Sequence, residues 1–443
     1  AAVALAQSRT YQFKLKNLRD TELVDYNEVR TLKWAMFETM FTYFEREHLR
    51  RQTPRALQFL AYVEHGGQML QAFADFEAAQ YTNLVPANNA QFHQYLQWQA
   101  NAQLQRCQAA ALNAGMTVGL VGDLAVGAIR EGAEVASDRA LFNREASIGA
   151  PPDPLAAQGQ NWNLPAINPI ELRAQGYQHF VSLLRSNMTC YGALRIDHVL
   201  GLLRLWWCLP GLRDGGAYVY YPLDDMLAIV RLESHRNHCV VIGEDMGVVP
   251  DELRERLSSS GVYGSKLLYF ETEANGRFKS PLSHQADALL MVSNHDVPTL
   301  AGWWSGTDIS LLEEIGQLAS DEAATALEQR ANAKHAMLRM LDEEELLPQE
   351  WAHSLEQDTA DAACKRYDQP LCKAILQASA RTRCTLLLVQ LDDLNFIQRP
   401  VNIPGTDREY PNWRRKLAID NQRLFQRQEI RELLTALNRE RSK

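Results

Sequence analysis

The chain has 443 residues, of which 46% are hydrophobic and 22% are charged, and its formal net charge is -9. This composition is typical of a globular protein that is long enough for a large core and more than one lobe. The negative charge argues against a nucleic-acid surface, and no apolar run is long enough to span a bilayer, so we predict neither a nucleic-acid partner nor a membrane segment.

The seven cysteines form no CxxC pair and have no histidine partners at zinc spacing. This distribution predicts free thiols in a reducing compartment, and we expect a cytoplasmic protein. The opening AAVALA is too short for a signal peptide, and the first residue is not Met. Two short basic runs, NWRRK (412–416) and NRERSK (438–443), are interpreted as solvated helix ends.

Residues 1–110 are predicted to form a helical subdomain. Asp25, followed three residues later by Glu28, is typical of a helix start. Apolar side chains then recur at helical spacing, at Val29, Leu32, Met36, Met40 and Phe44. A stripe of methionine and aromatic residues is more often core than binding site, so we expect these side chains to be buried.

Six short apolar segments follow, and most of them end in polar or acidic residues. They are 116–126, 192–199, 239–247, 265–271, 288–296 and 384–393. Amphipathic helices lie between them, for example over 250–261 and from about residue 320. Strands that alternate with helices predict an α/β fold with a parallel sheet.

Charged residues at the ends of successive strands favour a (β/α) barrel. The alternative, a doubly wound open sheet, lacks its Gly-rich phosphate fingerprint here. We expect a catalytic barrel over residues 111–443 with a helical insertion at about 305–380. A closed barrel of this type needs eight strands, so two strands are either hidden in the helical region or absent from this chain.

Four of the predicted strands end with an acidic residue, namely Asp123, Asp197, Glu244 and Asp296. This arrangement fits the two-carboxylate scheme for glycosidic bonds. Arg195 and Asp197 share one face of their strand, so the arginine would keep the aspartate ionised as a nucleophile. Glu244 follows the apolar run CVVIG, and burial would keep it protonated as an acid.

Asp296 lies beside His295 and could hold a substrate hydroxyl pair and steady positive charge at the reacting carbon. Taken singly, an Arg-x-Asp motif on a strand is more often a structural ion pair, and a lone GED or HD motif is weaker evidence for catalysis. A metal site at the same residues is the other alternative, although the histidine pairs that such a site requires are lacking.

Tryptophans near the strand ends are candidates for stacking on sugar rings. They are Trp162, Trp206, Trp207, Trp303 and Trp304. At least one of Trp206 and Trp207 is expected to be core instead. The apolar run that follows Asp197, through Trp207, is interpreted as packing against the helices.

Five long motifs resemble the 4-α-glucanotransferases, or amylomaltases, of glycoside hydrolase family 77 in the α-amylase clan. They are GALRIDHVLGLLRLWW, VIGEDMGVVPDELRERL, SNHDVPTLAGWW, GAPPDPLAAQGQNWNLP and VNIPGTDREYPNWRRKL. The similarity runs from about residue 20 to the C-terminus and is nearest to the bacterial maltose-system enzymes. The resemblance implies a retaining transglycosylase that cuts an α-1,4-glucan, holds a glucosyl ester and passes the sugar to another 4-hydroxyl.

The resemblance also implies a role for individual residues. Asp197 matches the nucleophile and Arg195 its partner, Glu244 the general acid/base, Asp296 the transition-state stabiliser, His295 and Asp123 substrate-binding residues, and Trp162 and Asn402 the lining of the glucan groove. Maltooligosaccharides and glucose are the implied donors and acceptors, and the chemistry requires neither cofactor nor metal. The oligomeric state is not readable from the sequence.

This chain departs from the family pattern in two places. Pro154 and Leu155 stand where many members have an aromatic pair. We expect that the N-terminal region with the first two strands of the (β/α)8 TIM barrel is missing, so that the six predicted strands are the third to the eighth. The chain would then be a truncated record, a fragment or one piece of a split protein. An α-glucan hydrolase and a catalytically silent glucan-binding protein are the alternative functions.

Overall fold

The computed structural model is a mixed α/β protein, and it describes residues 1–81, 86–152, 159–209, 211, 215–247, 249–356 and 367–442. The chain divides into two units, Ala1–Val262 and Tyr263–Lys443. Within the described ranges, no helix is long and apolar enough to cross a membrane. The six cysteines that fall in these ranges are all free thiols, as predicted.

Ten strands are found in the described part of the chain. They are β1 (Val121–Leu124), β2 (Phe142–Ala150), β3 (Gln160–Ile167), β4 (Ala193–Ile196), β5 (Arg204–Cys208), β6 (Gly216–Tyr220), β7 (Val240–Gly243), β8 (Gly264–Leu267), β9 (Ala288–Met291) and β10 (Leu386–Leu388). Five of the six segments predicted to be strands contain one of them, and the segment 265–271 overlaps β8, which begins one residue earlier. These six strands form the two parallel sheets described below.

Helices of the first unit include the long N-terminal series that the sequence predicts. They are Ala2–Gln7, Arg9–Asp20, Tyr26–Phe44, the π-helical Glu45–Leu49, Pro54–Ala79, Ala90–Asn113, Ala133–Ser137, Pro169–Ala174, Gln178–Met188, the 3-10 turn Val199–Leu202, Leu223–Asn237 and Asp251–Ser259. As predicted, Asp25 caps the third helix by accepting a hydrogen bond from the Glu28 backbone N–H at 3.1 Å.

The predicted apolar stripe of the Tyr26–Phe44 helix is only partly correct. Phe44 is buried, but Met40 is 37% exposed. The buried face runs instead through Phe41 and Phe44, because these rings pack against Phe92 and Tyr95 of the Ala90–Asn113 helix. The buried face therefore includes Phe41, one position after Met40, in place of Met40 itself.

The first unit holds two sheets. A parallel sheet has the order β1-β4-β7, so that β4 lies between its two neighbours. A second, antiparallel sheet has the order β3-β2-β5-β6 and was not predicted. The run after Asp197 first forms the 3-10 turn Val199–Leu202, which packs against the helix Leu223–Asn237 as predicted. It then enters this sheet as β5, whose backbone pairs with β2 and β6.

The second unit contains a parallel sheet of order β10-β9-β8 whose middle strand is buried along its whole length. Its helices are the 3-10 turns Leu268–Phe270 and Pro281–Ser283, then Leu300–Ser305, Thr307–Glu314, Ser320–Glu343, Gln349–Glu356, Gln369–Ala380, Leu391–Leu394, Asn421–Gln426 and Gln428–Arg441. The helices predicted over 250–261 and from about residue 320 are confirmed.

Two sequence interpretations in the second unit are wrong. Trp303 and Trp304 do not face solvent as sugar platforms, because the helix Leu300–Ser305 buries both rings, and Trp304 packs edge-to-face on Trp351 at 5.3 Å. The basic run 412–416 is not a helix end, since no helix includes it. The run 438–443 does lie at the end of a helix, Gln428–Arg441, as predicted.

Candidate active site

Three acidic residues lie at the carboxyl ends of neighbouring parallel strands in the first unit. Asp123 is in β1, Asp197 follows β4, and Glu244 follows β7. The backbone ladder continues past the strands, because the Asp197 N–H donates to the Leu124 carbonyl at 3.0 Å and the Glu244 N–H donates to the Ile196 carbonyl at 2.9 Å. The parallel register therefore brings these three predicted residues to one edge of the sheet.

Arg195 joins two of these carboxylates. Its Nη1 donates to Asp123 Oδ1 at 2.7 Å, and its Nη2 lies 3.0 Å from Asp197 Oδ1. The side chain is only 7% exposed. Burial works against its charge, but the attraction of Asp197 and Asp123 outweighs burial and raises the pKa of the guanidinium. The predicted pairing of Arg195 with Asp197 is therefore present, and Asp123 is a second partner.

Glu244 is buried, with 8% of its surface exposed. Burial raises the pKa of its carboxyl to about 7, and the charge of Asp197 acts in the same direction. Two backbone N–H groups oppose this shift and hold the carboxylate: Met246 donates to Oε1 at 2.7 Å and His198 donates to Oε2 at 3.0 Å. A carboxyl with a pKa near 7 exchanges a proton readily at neutral pH, as a general acid/base requires.

His198 makes the turn that brings its N–H to Glu244. Its backbone is left-handed, with φ of +48°. The turn packs closely on Gly243, where a Cβ atom would lie 2.9 Å from Val199 Cγ2, so glycine leaves room for it. Burial lowers the pKa of the His198 imidazole to about 4, which keeps the ring neutral at neutral pH. Trp162 contacts this ring edge-to-face at 5.0 Å, which places the predicted groove residue beside the segment of Asp197.

Three predicted residues lie together in the second unit, in the segments after β9 and β10. Asn402 Nδ2 donates to Asp296 Oδ1 at 3.2 Å, and His295 Nε2 lies 3.1 Å from Asp296 Oδ2. The Asp296 N–H donates to Asn294 Oδ1 at 2.8 Å, which fixes the turn. Both His295 and Asp296 keep about a third of their side-chain surface exposed, at 29% and 32%.

Trp413 is a site candidate that the sequence analysis missed. The residue is 52% exposed, and its ring lies 5.2 Å from the His295 ring, centroid to centroid. Its backbone is left-handed, with φ of +58°, and its N–H donates to the Val401 carbonyl at 2.8 Å, next to Asn402. Its place seven residues after the NIPGT motif (402–406), in the same family-like segment, was the available indication. Pro154 and Leu155 lie outside the described residues.

The family model of 4-alpha-glucanotransferases matches residues 80–421 of this chain. The chain belongs to this family. A relative from Haemophilus influenzae, named 4-alpha-glucanotransferase, is 35% identical, and the match covers 97% of this chain and 65% of that protein. One of the same name from Mycobacterium tuberculosis is 37% identical, over 74% of this chain and 44% of the relative. The chain thus spans less than two thirds of the length of these family members.

Solved structures of the family share the fold. Amylomaltase from Corynebacterium glutamicum superposes with a TM-score of 0.85 at 28% identity, covering 96% of this chain and 61% of that one. Amylomaltase from Streptococcus agalactiae, solved in complex with acarbose, has a TM-score of 0.69 at 16% identity, covering 99% of this chain and 86% of that one.

Proposed function

We propose that this chain carries the activity of its family, a 4-alpha-glucanotransferase that moves an α-1,4-glucan segment from a maltooligosaccharide donor to the 4-hydroxyl of an acceptor sugar. One observation supports this proposal more strongly than any other. Asp197, which pairs with Arg195 at 3.0 Å, and the carboxyl of Glu244, whose pKa burial raises to about 7, lie at the ends of adjacent strands. Two carboxyls in such contrasting environments are the signature of an acid and a nucleophile.

The first step of the proposed reaction forms a glycosyl ester. The Asp197 carboxylate attacks the anomeric carbon while the glycosidic C–O bond breaks, and the carboxylic acid of Glu244 gives its proton to the departing 4-oxygen. In the second step the Glu244 carboxylate takes the proton of an acceptor 4-hydroxyl. That oxygen then attacks the anomeric carbon and releases Asp197, so the configuration is retained after two inversions.

The other predicted residues are assigned substrate-binding and stabilising roles. Asp296 is proposed to hold a sugar hydroxyl pair and to stabilise positive charge in the transition state, with His295 and Asn402 on either side of its carboxylate. Asp123 is proposed to bind substrate next to Arg195, and Trp162 to line the glucan groove. The family resemblance and the contacts inside each unit support these assignments.

We further propose that the six parallel strands belong to the (β/α)8 barrel of the amylase clan, as its third to eighth strands. The proposed division is a helical subdomain over 1–110 and a catalytic part over 111–443, with a helical insertion at about 305–380. Maltooligosaccharides and glucose are the proposed donors and acceptors. The acarbose complex of the Streptococcus relative supports this class of partner.

Incubation with maltotriose tests the proposed activity. We expect glucose together with a ladder of maltodextrins longer than maltotriose, because transfer builds longer chains as it releases glucose. Maltose and glucose without longer products would show hydrolysis instead, and the absence of any product would contradict both enzymatic functions.

Trp413→Ala is expected to raise the KM for maltotriose about tenfold with little change in kcat. The reason is that an exposed ring beside His295 offers a flat apolar face to a bound sugar, and a loss of about 1.4 kcal/mol of binding corresponds to a factor of ten. The matched control is Phe425→Ala, an aromatic residue of the second unit that is 43% exposed, which should leave KM unchanged within about twofold. An unchanged KM in Trp413→Ala would remove this residue from the site.

A further inference from the structure

A buried carboxylate in the second unit ties down both ends of the segment that carries Asp296. Asp393 has 0% of its surface exposed. Its Oδ2 accepts a hydrogen bond from Ser293 Oγ at 2.6 Å, and its Oδ1 accepts one from the Leu300 N–H at 2.7 Å. These two donors delimit residues 293–300, which include His295 and Asp296.

The two hydrogen bonds from Ser293 and Leu300 are the interactions that favour the ionised carboxylate of Asp393 against the effect of burial. Burial raises the pKa of its carboxyl to about 6, and Asp392 acts in the same direction. The Ser293 hydroxyl and the Leu300 N–H oppose this shift. A fully buried carboxylate costs free energy unless its oxygens accept hydrogen bonds. Losing either donor would leave one oxygen unsatisfied, so the carboxyl group holds both Ser293 and the Leu300 N–H in position.

Two further contacts tie the same segment to its surroundings. The Thr299 hydroxyl donates to the Ile397 carbonyl at 2.5 Å, and the Tyr269 hydroxyl donates to the Pro298 carbonyl at 3.1 Å. Asp393 itself lies in the short helix Leu391–Leu394, which follows β10, the parallel neighbour of β9. The turn after β9 is therefore fixed mainly by residues that follow the adjacent strand.

We propose that Asp393 is a positioning residue for the transfer reaction, which acts by holding segment 293–300 so that the Asp296 carboxylate keeps its orientation. The inference rests on the proposed function, since Asp296 is the residue it serves. Asp393 does not itself touch the reacting sugar in this account. Its contribution comes from two hydrogen bonds and not from its charge.

Two substitutions of Asp393 distinguish a role of its hydrogen bonds in positioning the segment from a role of its charge. Asp393→Asn keeps the shape and removes the charge; its Oδ1 can still accept from the Leu300 N–H, and its Nδ2 can donate to Ser293 Oγ, because a hydroxyl can also accept. We therefore expect kcat for maltotriose to stay within about fivefold of the parent. Asp393→Ala removes both bonds and should lower kcat at least about thirtyfold while KM changes less, because Asp296 acts in the transition state. A folded Asp393→Ala variant with kcat within threefold of the parent, or an asparagine variant as impaired as the alanine variant, would overturn the proposal.

A matched pair of serine variants keeps the test decisive if Asp393→Ala does not fold. Ser293 and Ser379 are both 1% exposed, but Ser379 donates only to the Ile375 carbonyl within its own helix. Ser293→Ala should lower kcat about tenfold, whereas Ser379→Ala should leave it within twofold at a similar loss of thermal stability. Equal effects of the two variants on kcat would contradict a positioning role.

Hydrogen exchange distinguishes failure of this inference from failure of the proposed function. In Asp393→Ala, or in Ser293→Ala if the first variant does not fold, the amides of 293–300 should exchange faster, while those of the helix Ser320–Glu343 keep their parental rate. Unchanged hydrogen-exchange rates in 293–300 would overturn the proposal that Asp393 holds this segment. If the parent chain forms no products from maltotriose, the proposed function fails, and the exchange rates still decide whether Asp393 holds the segment.

Discussion

Asp197→Asn is expected to reduce transfer from maltotriose by at least about 10⁴-fold, the largest effect of any single substitution in this chain. An amide oxygen is a far weaker nucleophile than a carboxylate oxygen, so no glycosyl ester forms. The size of the side chain is unchanged, and Arg195 keeps its 2.7 Å hydrogen bond to Asp123. The variant should therefore fold, and initial rates of glucose release measure the loss directly.

Asp251→Asn is the matched control for Asp197→Asn. The Asp251 side chain is 95% exposed and pairs only with Arg254 at 3.3 Å, so the same change of charge there should leave the rate within about twofold. If Asp197→Asn retained more than about a tenth of the parental rate, the assigned nucleophile would be wrong.

Glu244→Gln is expected to lower kcat by about 10²- to 10⁴-fold, the range that general acid/base catalysis contributes. The pH dependence gives the more specific test. Burial raises the pKa of Glu244 to about 7, and the protonated carboxyl is the form that serves the leaving oxygen. Activity should therefore fall as the pH rises through about 7, and the residual activity of Glu244→Gln should lack this fall.

Glu252→Gln, a change of an exposed glutamate in the helix Asp251–Ser259, is the control for that profile. It should keep both the rate and the decline above neutral pH. A decline with the same midpoint in Glu244→Gln would assign the titration to another group and would contradict the acid/base role.

The strands and the acidic residues were predictable because both depend on local sequence. Short apolar runs, most of which end in polar or acidic residues, identified all six parallel strands, and the i, i+2 spacing correctly paired Arg195 with Asp197. The antiparallel sheet was missed because the run that becomes β5 pairs with β2 and β6, which lie elsewhere in the sequence. The identity of a strand's pairing partners is not encoded in the hydrophobic periodicity of that strand alone.

The parts of the site that depend on distant residues were not predictable from spacing. Burial of Glu244 was expected from its apolar neighbours, but the His198 turn that donates to its carboxylate was not. Asp393 lies about 100 residues after the segment that it holds, and Trp413 approaches His295 only in the folded chain. Trp303 and Trp304 show the converse error, because exposure of an aromatic ring is decided by packing and not by its place after a strand.

The central claim is that Asp197 forms a covalent ester which Glu244 then helps to transfer, and trapping that ester tests it most directly. The Glu244→Gln variant is mixed with α-maltosyl fluoride, whose fluoride leaves without a proton from the enzyme. The ester should then accumulate, because no base activates an acceptor. Mass spectrometry should find one maltosyl group per chain, on the peptide that contains Asp197. A maltosyl group on another residue, or none while the parent chain consumes the fluoride, would contradict the account.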